Sequence, residues 1–98
     1  MNPFDLMKNL KDLQGTMNQM REDLKNLSVT GSSGGNMVQV TMNGQLEMTA
    51  IKIDPIAVDP RDVNMLQDLI VSANHDALEK VQELIKQKAR PLMGGMGL

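Results

Sequence analysis

The stretch from Leu27 to Pro55 constrains the fold most, because it predicts three strands in succession. Apolar residues alternate with polar ones at about residues 37–42, which is the period of a strand with one buried face. The alternating residues are Val38, Val40 and Met42. Asn43-Gly44 follows at once and is typical of a two-residue type I′ turn, so the chain should return as a hairpin. Ser28–Thr30 predicts a short strand before the Gly- and Ser-rich connection at 31–35.

The register of this hairpin follows from its turn. A two-residue loop sets Met42 opposite Gln45 and puts Ile51 and Ile53 on the face of the alternating valines. The same register also places two polar residues on that face. A bulge near Met48 or a second partly buried face would each resolve the conflict, and both stay open.

A helix with a narrow apolar stripe precedes the strands. Asn2-Pro3 predicts its N-cap and first residue. Apolar residues then recur at the a and d spacing of a coiled coil: Leu6, Leu10, Leu13, Met17, Met20, Leu24 and Leu27. Because so narrow a stripe leaves most of the helix in water, we expect it to project beyond the sheet and to need another helix along its seam. A second copy of the chain is favoured over an intrachain helical hairpin, since a core with one aromatic residue is small.

A second helix follows the strands. Asp59-Pro60 predicts its N-cap and first residue, and the broad apolar stripe that follows suits a helix lying on a sheet. It should end at about Arg90, before Pro91. The class is therefore α+β, an α-β-β-β-α protomer with a three-stranded antiparallel sheet. We expect one domain at residues 1–92 and a flexible tail of glycine and methionine at 93–98.

The composition of the chain narrows the classes of function that it can have. The chain has no cysteine, no apolar run long enough to span a bilayer and no signal peptide, so a cytoplasmic location is expected. Its net charge of −2 means that any binding of nucleic acid must use a local basic patch. The lone His75 is predicted to be an exposed surface residue, and the Gly- and Ser-rich connection lacks the lysine and following helix of a phosphate loop. We expect no enzyme activity, cofactor, metal or small-molecule substrate.

Two groups of basic residues are candidate phosphate contacts. Lys86, Lys88 and Arg90 form the clearest cluster, although cations in the last turn of a helix also complement its dipole without any ligand. The first helix carries four more that alternate with acids, as on an ordinary solvated face: Lys8, Lys11, Arg21 and Lys25.

The order of several short motifs resembles the YbaB/EbfC family of nucleoid-associated proteins. These motifs are Leu6-Met7-Lys8, Met17 with Met20, Val29-Thr30-Gly31 with Ser33-Gly34, Val38 with Val40 and Asn43-Gly44, Ile53-Asp54-Pro55, and Leu69 with Asp76-Ala77. The resemblance implies a tight homodimer with helices projecting from a central sheet like tweezers. It also implies binding of duplex DNA with little sequence preference, and an influence on nucleoid organisation and gene expression. Among the basic residues, Lys8 alone lies in a matching motif.

These observations lead to one hypothesis and one alternative. The hypothesis is a homodimeric, non-enzymatic DNA-binding protein of the nucleoid that contacts backbone phosphates through the seven basic residues above. Its dimer interface is predicted at Leu10, Leu13, Met17, Met20, Val38 and Val40. The alternative is a protein-interaction module whose seam receives an amphipathic helix of another protein.

Overall fold

A computed structural model of the chain describes residues 2–94, with side chains described for residues 2–88. The elements are α1 (Pro3–Asn26), β1 (Ser28–Ser33), β2 (Val38–Asn43), β3 (Met48–Ile53), a short 3-10 helix (Pro55–Ala57) and α2 (Val63–Gly94). The strands form one antiparallel sheet in the order β1-β2-β3. The predicted α-β-β-β-α class is thereby confirmed.

The start of α1 matches its prediction and the start of α2 does not. Asn2 Oδ1 accepts a hydrogen bond from the Phe4 N–H at 3.1 Å, and Pro3 opens the helix. At α2, however, Asp59 accepts from the N–H of Arg61 within a turn, at 2.9 Å. Asp62 takes the capping role instead, because its Oδ1 accepts from the Met65 N–H at 3.2 Å and the helix begins at the next residue.

The end of α2 also differs from its prediction. The helix continues past Arg90 and Pro91 to Gly94, two residues into the predicted tail. Pro91 removes one backbone donor near the end of the helix, where few turns remain to be disrupted. The rest of the predicted tail, 95–98, lies outside the described residues.

The hairpin has a three-residue loop rather than the predicted type I′ turn. The Asn43 N–H donates to the carbonyl of Glu47 at 3.0 Å, so that Gly44, Gln45 and Leu46 form the loop. Met42 consequently pairs with Met48 and not with Gln45. The register shifts between Thr41 and Met42, which is the bulge that one of the two open alternatives required. Beyond the bulge the register differs from the predicted one by four residues, an even number, so the predicted face is confirmed: Val38 pairs with Ile53 and Val40 pairs with Ile51.

The loop is set by contacts that a dipeptide does not reveal. Asn43 Oδ1 accepts from the N–H groups of Gln45 at 2.9 Å and Glu47 at 3.1 Å. The left-handed position is taken by Leu46, with φ of 65°. Gly44 serves a different purpose: its N–H donates to the Leu24 carbonyl at 2.8 Å, and a Cβ there would lie 2.4 Å from the same oxygen. This glycine lets the end of α1 approach the sheet.

The core lies between α2 and the first two strands. Val38, Val40 and Met42 pack against three small or medium residues of α2, which are Ala73, Ala77 and Val81. Val38 and Val40 are completely buried there, so they have no surface for a partner chain and belong to the core rather than to a dimer interface. The strand period identified their buried face but not the element that covers it.

The first helix projects from this core, as predicted. It contains no buried residue, and the chain extends over 70 × 25 × 17 Å. The radius of gyration is 19.6 Å, whereas a compact domain of this length has about 13 Å. The accessible surface is 7500 Å², compared with about 5500 Å² for a compact monomer of this mass. Within residues 2–94, no helix is long and apolar enough to cross a membrane.

Candidate nucleic-acid interface

The projecting helix α1 has three distinct faces. The first is the seam, which we define as Leu6, Leu10, Leu13, Met17 and Met20, and these residues are each 48–59% exposed. Each residue of an α-helix is rotated by about 100° around the axis from the residue before it. Positions four, seven, eleven and fourteen residues after Leu6 therefore lie close to its direction. The four predicted interface residues of α1 are therefore together on one open apolar face.

The second face is basic. Around the axis, Lys8, Lys11 and Lys25 lie about 100–160° from the direction of Leu6, and Arg21 lies at about 60°, between this face and the seam. All four side chains are exposed, and none forms an ion pair with a carboxylate among residues 2–88. We call Lys8, Lys11 and Lys25 the basic face. Their charges are available to a ligand.

The third face collects most of the acids of α1. Asp5, Asp12 and Asp23 lie about 100–120° from the direction of Leu6, on the side away from Lys11 and Lys25, whereas Lys8 lies about 40–60° from Asp12 and Asp5. Glu22 is the exception, since it lies within about 60° of Lys11 and Lys25 on the basic face. Lys11 and Lys25 are thus separated from the three aspartates around the axis, whereas Lys8 lies at the border with them.

The basic residues of α2 do not form one patch. Lys86 and Lys88 are both exposed, but residues two positions apart point about 200° away from each other around a helix. Lys88 faces α1 across a cleft, and Lys86 points elsewhere. The side chain of Arg90 lies outside the described residues. The cluster seen in the sequence is therefore divided between two sides of the helix.

The cleft between the two helices extends the seam toward the sheet. It has a volume of about 440 Å³. Its lining comes from Met20, Asp23, Leu24, Asn26 and Leu27 on one side and from Ile85 and Lys88 of α2 on the other. Because its walls are mainly apolar, the cleft suits a hydrophobic side chain better than a phosphate.

Several residues of the quoted motifs meet at the contact of β1 with α2, where they hold the fold together. A Cβ on Gly31 would lie 2.2 Å from the backbone nitrogen of Ala77. The Ser32 N–H donates to Asp76 Oδ2 at 2.9 Å, and Lys80 Nζ lies 3.0 Å from the same oxygen. The Ser32 N–H first, and Lys80 second, hold the pKa of the Asp76 carboxyl below its usual value. This network was not predicted from the sequence, although Asp76-Ala77 was part of the resemblance.

The chain has one histidine, His75. His75 is exposed as predicted, with its Nε2 3.1 Å from Glu79 Oε1. Among the described residues, no group of three or more histidines, cysteines or acids is placed to hold a metal ion.

Comparisons with known proteins agree with this geometry. The model of the YbaB/EbfC DNA-binding family matches residues 1–96. A nucleoid-associated protein of Roseiflexus sp. (strain RS-1) is 48% identical over 98 residues, covering 100% of this chain and 97% of the relative. Another, from Desulfotalea psychrophila, is 45% identical over 93 residues, covering 95% and 88% of the two chains.

A solved structure shares the fold. The crystal structure of the uncharacterized protein HP0035 from Helicobacter pylori superposes with a TM-score of 0.75 at 29% identity, covering 95% of this chain and 98% of that one. The family match spans the projecting helix, the sheet and α2 together. This chain therefore belongs to the YbaB/EbfC DNA-binding family, which is not a family of enzymes.

Proposed function

We propose that this protein is a homodimer that binds duplex DNA mainly through the backbone phosphates, and that it thereby influences nucleoid organisation and gene expression. One observation carries the proposal: α1 presents an open apolar seam on one side and unpaired lysines on the other. The seam supports association and the basic face supports DNA binding. Relatives named nucleoid-associated proteins support a location at the nucleoid, within the cytoplasm.

The exposed area of the chain supports a dimer. The chain exposes 7500 Å², which is roughly 2000 Å² more than a compact monomer of its mass. A standard interface buries about 800 Å² on each partner. A second copy laid along the seam would cover a surface of that size and would leave the basic face outside.

The spacing and the charge of the basic residues on α1 support phosphate contacts. Lys8 and Lys25 are 17 positions apart in α1, a distance of about 25 Å along a helix. This distance equals the rise of about seven base pairs of duplex. Exposed Gln14 and Asn18 lie between them and add neutral donors. Because the protein offers no aromatic residue other than Phe4 and no recognition helix of a known type, backbone contacts should outnumber base contacts.

Binding is tested with a fluorescently labelled duplex of mixed sequence, titrated by anisotropy over a series of salt concentrations. The variant Lys11→Gln/Lys25→Gln should flatten the dependence of log affinity on log salt by about two units for each protomer. The matched control Lys52→Gln/Arg61→Gln removes two exposed cations that lie away from the arm, and it should retain the wild-type slope. Equal effects of the two variants would contradict the proposed surface. A loss confined to Lys86→Gln/Lys88→Gln would move the contact to α2.

Association is tested by sedimentation equilibrium. The change Leu13→Asp/Met17→Asp should convert a dimer into a monomer, because it places charges in the centre of the seam. The open seam also favours one alternative, which is a protein that receives an amphipathic helix of another protein. A monomeric wild-type chain without DNA binding at low salt would replace our proposal with that alternative.

A further inference from the structure

The tip of α1 carries an exposed apolar surface that the phosphate contacts do not use. Phe4, the only aromatic residue of the chain, is 80% exposed, and Met7 is 62% exposed. Together with Lys8 and Lys11 they line one shallow depression of about 280 Å³. We define these four residues as the tip patch. Exposed aromatic surface is costly in water unless a ligand covers it.

The seam cannot account for the tip patch. Around the helix axis, Leu6, Leu10, Leu13 and Met17 all lie about 120–180° from the direction of Phe4. A partner helix laid on the seam would thus leave Phe4 on the outer side of the arm. By contrast, Lys8 and Lys11 lie within about 40° of Phe4. The aromatic ring therefore belongs to the basic side of the helix.

The local structure orders the backbone that carries the ring. Pro3 opens the helix, and Asn2 accepts the N–H of Phe4 itself at 3.1 Å. The first turn is thereby ordered, so that less conformational entropy is lost when Phe4 meets a ligand. Asp5 and Asp12 lie about 80–100° from Phe4 around the axis, beyond Lys8, which borders them at about 40–60°. The two lysines beside the ring thus favour an anionic partner. The ring itself favours a partner with an apolar layer beneath its charges.

We infer that the tip patch inserts Phe4, supported by Met7, against or between base pairs of duplex DNA while Lys8 and Lys11 hold the flanking phosphates. This inference rests on the proposed function and deepens it, because it adds local distortion of the duplex to binding of its backbone. Duplex DNA presents an apolar base stack between two rows of phosphates. Apolar wedges flanked by cations are known to enter a base step and to kink the duplex.

The variant Phe4→Trp tests the inference directly, because the chain has no other tryptophan or tyrosine and the new emission reports this position alone. Saturating duplex should quench that emission and protect it from acrylamide, since the indole stacks on bases. Duplex that binds by anisotropy without changing the emission would overturn the inference and leave the proposed function intact. If the duplex does not bind at all, the proposed function is refuted, and this inference is refuted with it.

Two further outcomes would assign the tip patch to another partner and overturn the inference. Emission that is already blue-shifted in free protein, and that depends on protein concentration, would place Phe4 against a second copy. A shift with phosphatidylglycerol vesicles but not with duplex would place it at a lipid surface.

Wild-type protein supplies a second measurement on duplexes that carry 2-aminopurine, whose fluorescence rises when it is unstacked. The rise should disappear with Phe4→Ala at saturating protein, and affinity should fall by roughly tenfold. The salt dependence should stay unchanged, because no phosphate contact is lost. The matched control is Ile56→Ala, which truncates another highly exposed apolar side chain away from the arm and should alter neither signal. A rise that survives in Phe4→Ala would refute insertion by this residue.

Discussion

The substitution Gly31→Ala tests how closely α2 rests on β1. The added Cβ would lie 2.2 Å from the backbone nitrogen of Ala77 and 2.5 Å from the carbonyl oxygen of Ala73. Ordinary contact begins at 3.4 Å, so the helix and the strand must separate by roughly 1.2 Å. Backbone atoms cannot rotate away as side chains do, and a gap of this size forfeits a quarter to a half of each affected dispersion contact.

We expect Gly31→Ala to lower the free energy of unfolding by about 3 kcal/mol, the upper part of the usual range for overpacking. A chain of this size has about 5–15 kcal/mol in total, so the loss should lower the melting temperature by roughly 12–24 °C. Urea unfolding followed by far-UV circular dichroism measures it, because the chain has no tryptophan or tyrosine. Protein concentration must be held constant if folding is coupled to association.

Gly15→Ala is the matched control, since it adds the same atoms in α1 where nothing lies within 4 Å. It should stabilise the helix by about 1 kcal/mol, because alanine is the better helix former. If Gly31→Ala unfolds within about 0.5 kcal/mol of the wild type, a range typical of surface changes, the close contact of α2 with β1 is refuted.

Two further predictions concern single carboxylates. Because the pKa of Asp76 is lowered in the folded state, its ionised form stabilises the fold above the ordinary value of 3.8, and this stabilisation is lost as the pH falls through the lowered folded pKa. Asp76→Asn should thus reduce the urea midpoint at neutral pH, and its difference from wild type should shrink in acid, whereas a constant difference would contradict the role of charge. Glu22→Gln should raise DNA affinity by roughly two- to fivefold at low salt, because a like charge leaves the basic face. Asp23→Asn, about 160° from Lys25 around the axis, is its control in the same anisotropy titration, and an equal gain there would show that only net charge matters.

The sequence predicts best where the determining contacts are local. Asn2-Pro3 and the heptad spacing place α1 correctly, since a cap and a stripe depend on neighbours within a few residues. The prediction of a two-residue turn after β2 is wrong, because the shape of the loop depends on the Asn43 side chain and on the approach of Gly44 to Leu24, which is distant in sequence. The predicted face of Ile51 and Ile53 is correct, because a register shift by an even number of residues leaves their side chains on the same side of the sheet.

The same difference between local contacts and contacts distant in sequence applies to the candidate site. The exposed seam was predictable, because a narrow stripe on a long helix leaves nothing within the chain to cover it. The split of Lys86 from Lys88 follows from helical geometry and could have been read from their spacing. The contact of Ser32 with Asp76 could not, since residues 44 positions apart meet only after the strand has packed on the helix. The ion pair of Lys80 with Asp76, four positions apart on α2, could have been read from their spacing.

The separation of charges on α1 also resolves the conflict between an acidic chain and a polyanionic partner. The net charge of −2 sums the whole surface, whereas screening limits what a phosphate senses to roughly 8–10 Å at moderate salt. We therefore expect Lys11 and Lys25, which lie away from Asp5 and Asp23 around the axis, to attract a duplex despite the net charge. The acids on the remaining side repel the backbone of any duplex that approaches there. An acidic protein built in this way should bind DNA in one orientation, and it should lose affinity with salt more steeply than its net charge would suggest.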